Sequence, residues 1–144
     1  MSVPTDKRDE SDVLFKTIPQ ELYNEMAPRF AKMLGRYKDA YYTPILQYLL
    51  DTIDKVNYAN ILSIEHNYEE RFKLLHLSRH NMAMIAKLLD GVIQNCNARP
   101  NGKKFIPAGT QRDWFTKIEK EINLLGGVID ADRVRHEKSV CENE

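Results

Sequence analysis

The sequence feature that most constrains the fold is a run of 46 residues, Ile45 to Asp90, that contains neither glycine nor proline. Apolar residues recur along most of this run at alternating spacings of three and four, which place them on one face of an α-helix. A long helix with one apolar face is stable only when other helices cover that face. The residues on this face and its continuation, which we call the apolar stripe, are Ile61, Ile64, Tyr68, Leu75, Met82, Ile85, Leu89 and Val92.

A single helix over the whole run would be too long for this chain. From Pro44 to Asn97 it would measure about 80 Å, which exceeds the diameter of a compact domain of this size. The apolar phase also slips by one residue at 57–63, where asparagine and serine side chains favour caps and turns. We therefore expect a break or bend at 57–63 rather than one continuous rod, followed by a long principal helix over about 61–97.

Two helix starts precede the apolar stripe. The segment from Thr17 to Gln20 has the capping-box pattern, in which the threonine hydroxyl accepts a backbone N–H and the glutamine reaches back. The first helix should begin there and kink or restart near Ala27, because Pro28 lacks a backbone donor. Thr43-Pro44 predicts the next start, since threonine caps a helix and proline suits its first position.

A connector and a last helix follow the principal helix. Residues 98–109 contain two glycines and two prolines, which predicts a loop or an extended connector. The last helix is predicted over 111–125. Gly126 and Gly127 should end it, as glycines commonly do at a helix C-terminus.

These elements predict an all-α fold: a bundle of three to four helices with one long principal helix. With 144 residues, of which 42% are hydrophobic, the chain suffices for one core. We assign a single helical domain to residues 14–129. Residues 1–13 have little apolar content and should form a disordered N-terminal tail, and residues 130–144 should form a charged C-terminal tail, either a frayed helix or disordered.

The composition excludes several classes of protein. Basic and acidic residues number 21 each, and no apolar run approaches the roughly 18 residues that a membrane span requires. The first residues lack a secretory signal pattern, so we expect an intracellular protein of the cytoplasm or nucleus with no membrane partner. Cys96 and Cys141 have no paired spacing and predict neither a disulfide framework nor a zinc site.

The sequence has no catalytic constellation and no cofactor motif. Glu65, Glu69, His76 and His80 share the helix side opposite the apolar stripe, where polar residues are expected without any metal. The two histidines lack the intervening glutamate of a zinc-protease helix, and no phosphate-binding glycine loop occurs. We therefore predict no enzymatic activity, metal, cofactor or small-molecule substrate. The alternative is a helical enzyme whose site is assembled from scattered residues.

Charge is segregated along the chain, with basic stretches at 29–38 and 99–120 and an acidic middle between them. The basic stretches could complement the acidic helix within the bundle, remain solvated, or bind a partner. Such a partner would be an acidic protein surface or a nucleic acid, with Phe105 either stacking on a base or folding back onto the core. The candidate partner-binding residues are Arg29, Lys32, Arg36, Arg99, Lys103, Lys104, Phe105, Arg112 and Lys117.

The function predicted from the sequence is a non-catalytic helical interaction module, a structural or adaptor subunit of a larger intracellular assembly. A principal helix longer than its neighbours would leave part of the apolar stripe uncovered, which favours self-association or docking onto another protein. The alternative is an accessory protein that binds nucleic acid through the two basic stretches.

Overall fold

The computed structural model describes residues 5–142, and it describes side chains from Leu14 onwards. Within these residues no strand forms beyond an isolated antiparallel bridge between Ala98 and Lys104, and no helix has the length and apolar content to cross a bilayer. The predicted all-α bundle is therefore confirmed. The helices are α1 (Thr5–Ala31), α2 (Thr43–Ile61), α3 (Ile64–Asn95) and α4 (Ala108–Glu142).

The four helices form a ring in which each packs mainly against two others. α2 and α4 each contact both α1 and α3. Neighbouring helices are antiparallel, as hydrogen bonds between residues 71 and 132 and between residues 79 and 122 show for α3 and α4. Apolar side chains of all four helices form one core with Ile106 of the α3–α4 connector. Fully buried members of this core include Phe15, Leu22, Leu49, Met82 and Trp114.

The break predicted at 57–63 is present. Leu62 and Ser63 have extended backbone, with ψ of 136° and 134°. Ser63 Oγ accepts a hydrogen bond of 3.2 Å from Glu65 N and caps α3. The principal helix therefore begins at Ile64, slightly later than expected. Ile61 ends α2 with 75% of its surface exposed.

α1 begins earlier than the sequence predicts. Its first residue is Thr5, whereas the capping-box pattern placed the start at Thr17. The predicted disordered tail covers residues 1–13; residues 1–4 of it lie outside the described part of the chain. The backbone of residues 5–13 belongs to α1.

Neither proline of α1 ends the helix, and no restart occurs at Ala27. Pro19 and Pro28 lie inside α1, and each removes one backbone hydrogen bond. Buried apolar side chains continue past both positions, from Phe15 to Phe30. The packing of these side chains offsets the lost hydrogen bonds. A prediction of helix ends from proline and capping residues alone does not include this packing.

Gly126 and Gly127 do not end α4, contrary to the sequence prediction. The helix continues over residues 130–142, which were assigned to a charged tail; residues 143 and 144 lie outside the described part. A glycine inside a helix costs about 1 kcal/mol relative to alanine, but burial of Asp132 beyond the glycines favours continuation. At 35 residues α4 is longer than α3, which has 32, so the bundle has two long helices.

A buried ion pair joins three helices. Arg71 of α3 donates from Nε to Asp132 Oδ2 at 2.6 Å and from Nη2 to Oδ1 at 3.4 Å. Its Nη1 donates to the carbonyl oxygen of Ala59, near the end of α2, at 2.8 Å. The side chains of Arg71 and Asp132 are only 10% and 3% exposed. Because a buried charge without its partner is costly, these contacts fix α2, α3 and α4 relative to one another.

The apolar stripe divides into a buried part and a partly exposed part. Its five C-terminal members are fully buried by helices of the same chain, whereas Ile64 and Tyr68 are half-buried and Ile61 is exposed. The uncovered stretch expected from the sequence is therefore confined to the N-terminal end of the stripe. The buried members are Leu75, Met82, Ile85, Leu89 and Val92.

Leu75→Ala should lower the free energy of unfolding by about 2–5 kcal/mol, because it removes a large side chain from the core. Glu69→Ala, on the exposed side of the same helix, should change it by less than about 0.5 kcal/mol. Denaturant unfolding followed by circular dichroism measures both. Equal effects at the two positions would mean that the faces of α3 are wrongly assigned.

Asp132→Asn should lower the free energy of unfolding by about 3–5 kcal/mol, because Arg71 then keeps a buried charge without its carboxylate. Asp130→Asn is the matched control, since that side chain is 70% exposed and its contact with Arg133 is a surface one. The same unfolding measurement applies. A loss at Asp132 no larger than that at Asp130 would refute a stabilising role for the buried pair.

Candidate functional site

The connector between α3 and α4 is a closed turn rather than a loose loop. Arg99 N donates to Lys103 O at 2.9 Å, and Gly102 N donates to Arg99 O at 3.1 Å. Gly102 has a φ of 79°, a conformation that residues with a Cβ rarely adopt. Asn97 closes the base of the turn, because its side chain accepts from Ile106 N at 2.6 Å and donates to Ile106 O at 3.1 Å.

This turn folds back onto the end of α1 and brings the two basic stretches together. Arg29 Nη1 donates to the carbonyl oxygen of Phe105 at 3.1 Å. The Arg99 guanidinium lies over the Phe105 ring, 4.6 Å from its centroid. Arg29, Lys32 and Arg99 line one shallow cleft, and Arg36 and Arg99 line the next. We call the resulting patch the basic surface; it comprises the cleft residues Arg29, Lys32, Arg36 and Arg99, together with Lys103 and Lys104 of the turn.

The six cations of the basic surface have no ion-pair partners within the described part of the chain, and Glu25, which lines the cleft of Arg29 and Lys32, pairs with Lys117 instead. Of the six cations, all but Arg29, which is half-buried, are exposed. The acidic segment of α2 and α3 therefore does not complement these cations, which was one of the explanations open from the sequence.

Two of the predicted partner-binding residues lie apart from the basic surface. Lys117 Nζ contacts Glu25 at 3.0 Å, Asp113 at 3.3 Å and Glu21 at 3.9 Å, so its charge is neutralised within the bundle. Partial burial acts to lower the pKa of Lys117, but the carboxylates of Glu25 and Asp113 outweigh it and raise the pKa. Arg112 is exposed near the start of α4 and lines neither cleft.

Beside the basic surface lies an apolar cleft of about 340 Å³ that the sequence did not predict. α1 ends at Ala31, and the chain then forms a 3₁₀ turn over Gly35–Tyr37 and a π-helical turn over Lys38–Tyr42 before α2 begins. A π-turn widens the helix locally and is frequent at functional sites. The cleft is lined by Ala27, Phe30, Ala31, Met33, Gly35, Lys38, Tyr42, Thr43 and Leu46.

The π-helical turn is held against α3 by Tyr41. A Cβ at Gly91 would lie 2.6 Å from Tyr41 Cε1, so a side chain at position 91 would require the Tyr41 ring to move. Asn95 Nδ2 donates to Tyr41 Oη at 3.0 Å. One wall of the apolar cleft therefore depends on α3, although no residue of α3 lines the cleft.

Aromatic rings form the floor beneath this end of the bundle. Phe30 stacks on Tyr42 with ring centroids 5.0 Å apart, and Trp114 meets Phe30 edge-on at 6.1 Å. The Tyr42 hydroxyl is buried beside the Cys96 thiol, without hydrogen-bond geometry to any described residue. Burial, with the neighbouring thiol, raises the pKa of Tyr42 to about 12. Tyr42 is therefore neutral at physiological pH.

Glu121, like Tyr42, is a buried titratable residue that the sequence did not predict. Its side chain is fully buried in α4, and neither carboxyl oxygen has a hydrogen-bond partner among the described residues. Burial raises the pKa of Glu121 to about 9, so the carboxyl is protonated at neutral pH. A signal existed, because Glu121 follows Ile118 by three residues and precedes Leu125 by four, in phase with the buried face of α4.

The four polar residues singled out on α3 do not form a cluster of metal ligands. Glu65, Glu69, His76 and His80 are all exposed, and among the residues whose side chains are described no group of three or more potential ligands could hold a metal ion. His76 instead stacks on Phe72, with ring centroids 5.8 Å apart.

Comparison of the chain with known protein families, curated proteins and solved structures gives no match. The features that bear on function are therefore the basic surface and the apolar cleft.

Glu121→Gln should stabilise the protein increasingly as the pH rises from about 5 to about 9. Below the unfolded-state pKa of 4.5 the carboxyl is protonated in both states, and above it only the unfolded chain ionises until the folded-state value of about 9 is reached. The wild-type protein thus loses stability across this window relative to the amide variant, by up to about 1.4 kcal/mol per pH unit. Denaturant unfolding of both proteins at pH 5 and pH 8 measures the difference. A difference independent of pH would contradict the neutral, buried carboxyl.

Proposed function

We propose that this protein is a non-catalytic interaction module, an adaptor or structural subunit that binds an acidic partner protein through the basic surface. The main observation behind the proposal is that six cations, none of them in a described ion pair, lie together at one end of the bundle. They are carried by the end of α1, the chain that follows it and the α3–α4 turn, a platform held together by hydrogen bonds. Cations without internal partners contribute little to stability. They do attract an acidic partner and orient it.

The rigidity of the platform supports a binding role. Arg29 ties α1 to the connector through Phe105 O, and Asn97 ties the connector to the end of α3. Side chains carried on fixed backbone lose less conformational entropy on binding than those of a mobile loop. The basic surface is therefore suited to a partner with a defined arrangement of carboxylates.

The aromatic rings favour a protein partner over a nucleic acid. Single-stranded nucleic acids bind proteins by stacking bases on exposed rings. The rings beside the basic residues are already covered, since Arg99 lies over Phe105 and Arg36 lies 5.0 Å from the centroid of Tyr37. Phe30 and Tyr42 are buried against each other. Nucleic-acid binding would therefore depend mainly on phosphate contacts.

A partner other than a second copy of this chain is the version we favour. The sequence-based argument for self-association depended on an uncovered apolar stripe, and most of that stripe is buried within one chain. Its exposed residue, Ile61, lies at the α2–α3 turn, far from the basic surface at the other end of the bundle.

Lys32→Glu with Arg36→Glu should weaken binding of fluorescent poly-L-glutamate, a surrogate for an acidic protein surface, by about tenfold or more at low salt. The log-affinity slope against log salt should also become shallower. Lys73→Glu with Lys87→Glu is the matched control, because both are exposed lysines of α3 outside the basic surface. Fluorescence anisotropy measures binding, and thermal unfolding verifies that all variants fold.

Two outcomes would contradict the proposal. Equal losses in the test and control variants would show that binding follows net charge rather than the basic surface. Tighter binding of a single-stranded oligonucleotide of equal charge than of poly-L-glutamate, lost in the test variant, would assign the surface to nucleic acid.

A further inference from the structure

The apolar cleft and the basic surface are continuous. Gly35 lines both the apolar cleft and the cleft of Arg36 and Arg99, and Met33 lines both the apolar cleft and the cleft of Arg29 and Lys32. A ligand seated in the apolar cleft would thus have cations on its flank.

The cleft has the size and walls for a large apolar side chain. Its volume of about 340 Å³ lies at the lower end of the roughly 300–1,000 Å³ that is typical of ligand pockets. Most of its lining is apolar, including Phe30, Met33 and Leu46, and the charged residue among the lining is Lys38. Leu34, which is 37% exposed, lines the neighbouring cleft of Arg36 and Arg99.

We propose that the apolar cleft receives a large aliphatic or aromatic side chain from an acidic segment of a partner protein, while carboxylates on either side of it meet Lys38 and the basic surface. This inference rests on the proposed function and adds the chemistry of the partner. Protein interfaces commonly combine a central apolar anchor in a pocket with a charged rim.

Charge complementarity selects this occupant. A purely apolar peptide would leave Lys32, Arg36 and Arg99 without counter-charges beside it, and a purely acidic one would leave the apolar lining empty. An acidic segment with one large apolar residue satisfies both features at once. A nucleotide base is a poorer fit, because the rings in the cleft wall, Phe30 and Tyr42, are stacked on each other rather than free to receive it.

The test is a selection from a random peptide display library on the immobilised 144-residue protein, followed by anisotropy with the enriched peptides. Selected peptides should carry several acidic residues around one recurrent large apolar residue. Replacing that residue by alanine in the peptide should weaken binding at least about tenfold, as expected for a buried anchor.

Variants of the cleft locate the binding site. Ala31→Trp should weaken binding of the peptides at least about tenfold and leave poly-L-glutamate binding unchanged, because Ala31 is exposed and lines the cleft. Gly35→Leu should also weaken peptide binding, since a Cβ there meets no atom within 4 Å. Because Gly35 also lines the cleft of Arg36 and Arg99, the comparison with poly-L-glutamate uses Ala31→Trp. Ala131→Trp is the matched control, an exposed alanine near the other end of the bundle.

The outcomes separate this inference from the proposed function. Peptides without a recurrent apolar residue, no enrichment above a bare surface, or unchanged peptide binding in both cleft variants would overturn the cleft inference and leave poly-L-glutamate binding intact. Loss of poly-L-glutamate binding to the wild-type protein as well would remove both. Oligonucleotide binding that is weakened by Ala31→Trp would assign the cleft to a base instead of a side chain.

Discussion

The buried contact between Arg71 and Asp132 is the constraint on which the end of the bundle opposite the basic surface depends. Neither charge is tolerable in the interior alone, so α4 has to continue past Gly126 and Gly127 until it delivers a carboxylate to the guanidinium. The third donor of Arg71 binds the carbonyl of Ala59, near the end of α2. One side chain thus holds the end of α2 against α3 and requires α4 to extend at least as far as Asp132.

The sequence predicts the parts of this fold that follow from local chemistry. The break before Ile64 and most of the connector predicted at 98–109 are set by a cap, prolines and weak helix formers, although α4 begins at Ala108. α2 begins at Thr43-Pro44 as predicted, but Thr43 does not cap it, because helical backbone continues into it from the π-helical turn. Predictions failed where tertiary burial outweighed local preference, at the prolines of α1 and the glycines of α4. Arg71 lies in phase with the apolar stripe, four residues before Leu75, a signal of burial that the sequence prediction did not use. The apolar periodicity of α3 does not reveal that the partner of Arg71 is Asp132 on α4.

The sequence predicts which basic residues the candidate site contains, but not where in the fold they come together. The basic residues are evident in the sequence, but their convergence depends on the turn closed by Asn97 and on the bond from Arg29 to Phe105 O. Lys117 looks equivalent to Lys32 in the sequence, yet the carboxylates of Glu25 and Asp113 neutralise it. The apolar cleft has no sequence signature, because its walls come from both sides of the α1–α2 connection.

The fit of Tyr41 against Gly91 links positions that are far apart in the chain. Since any side chain at position 91 would displace the ring, and the ring belongs to the π-helical turn that shapes the cleft, these two positions are not free to vary independently. In related chains a larger residue at 91 should appear together with a smaller one at 41. A substitution at position 91 of α3 would thus change the shape of the surface cleft through Tyr41 and the π-helical turn.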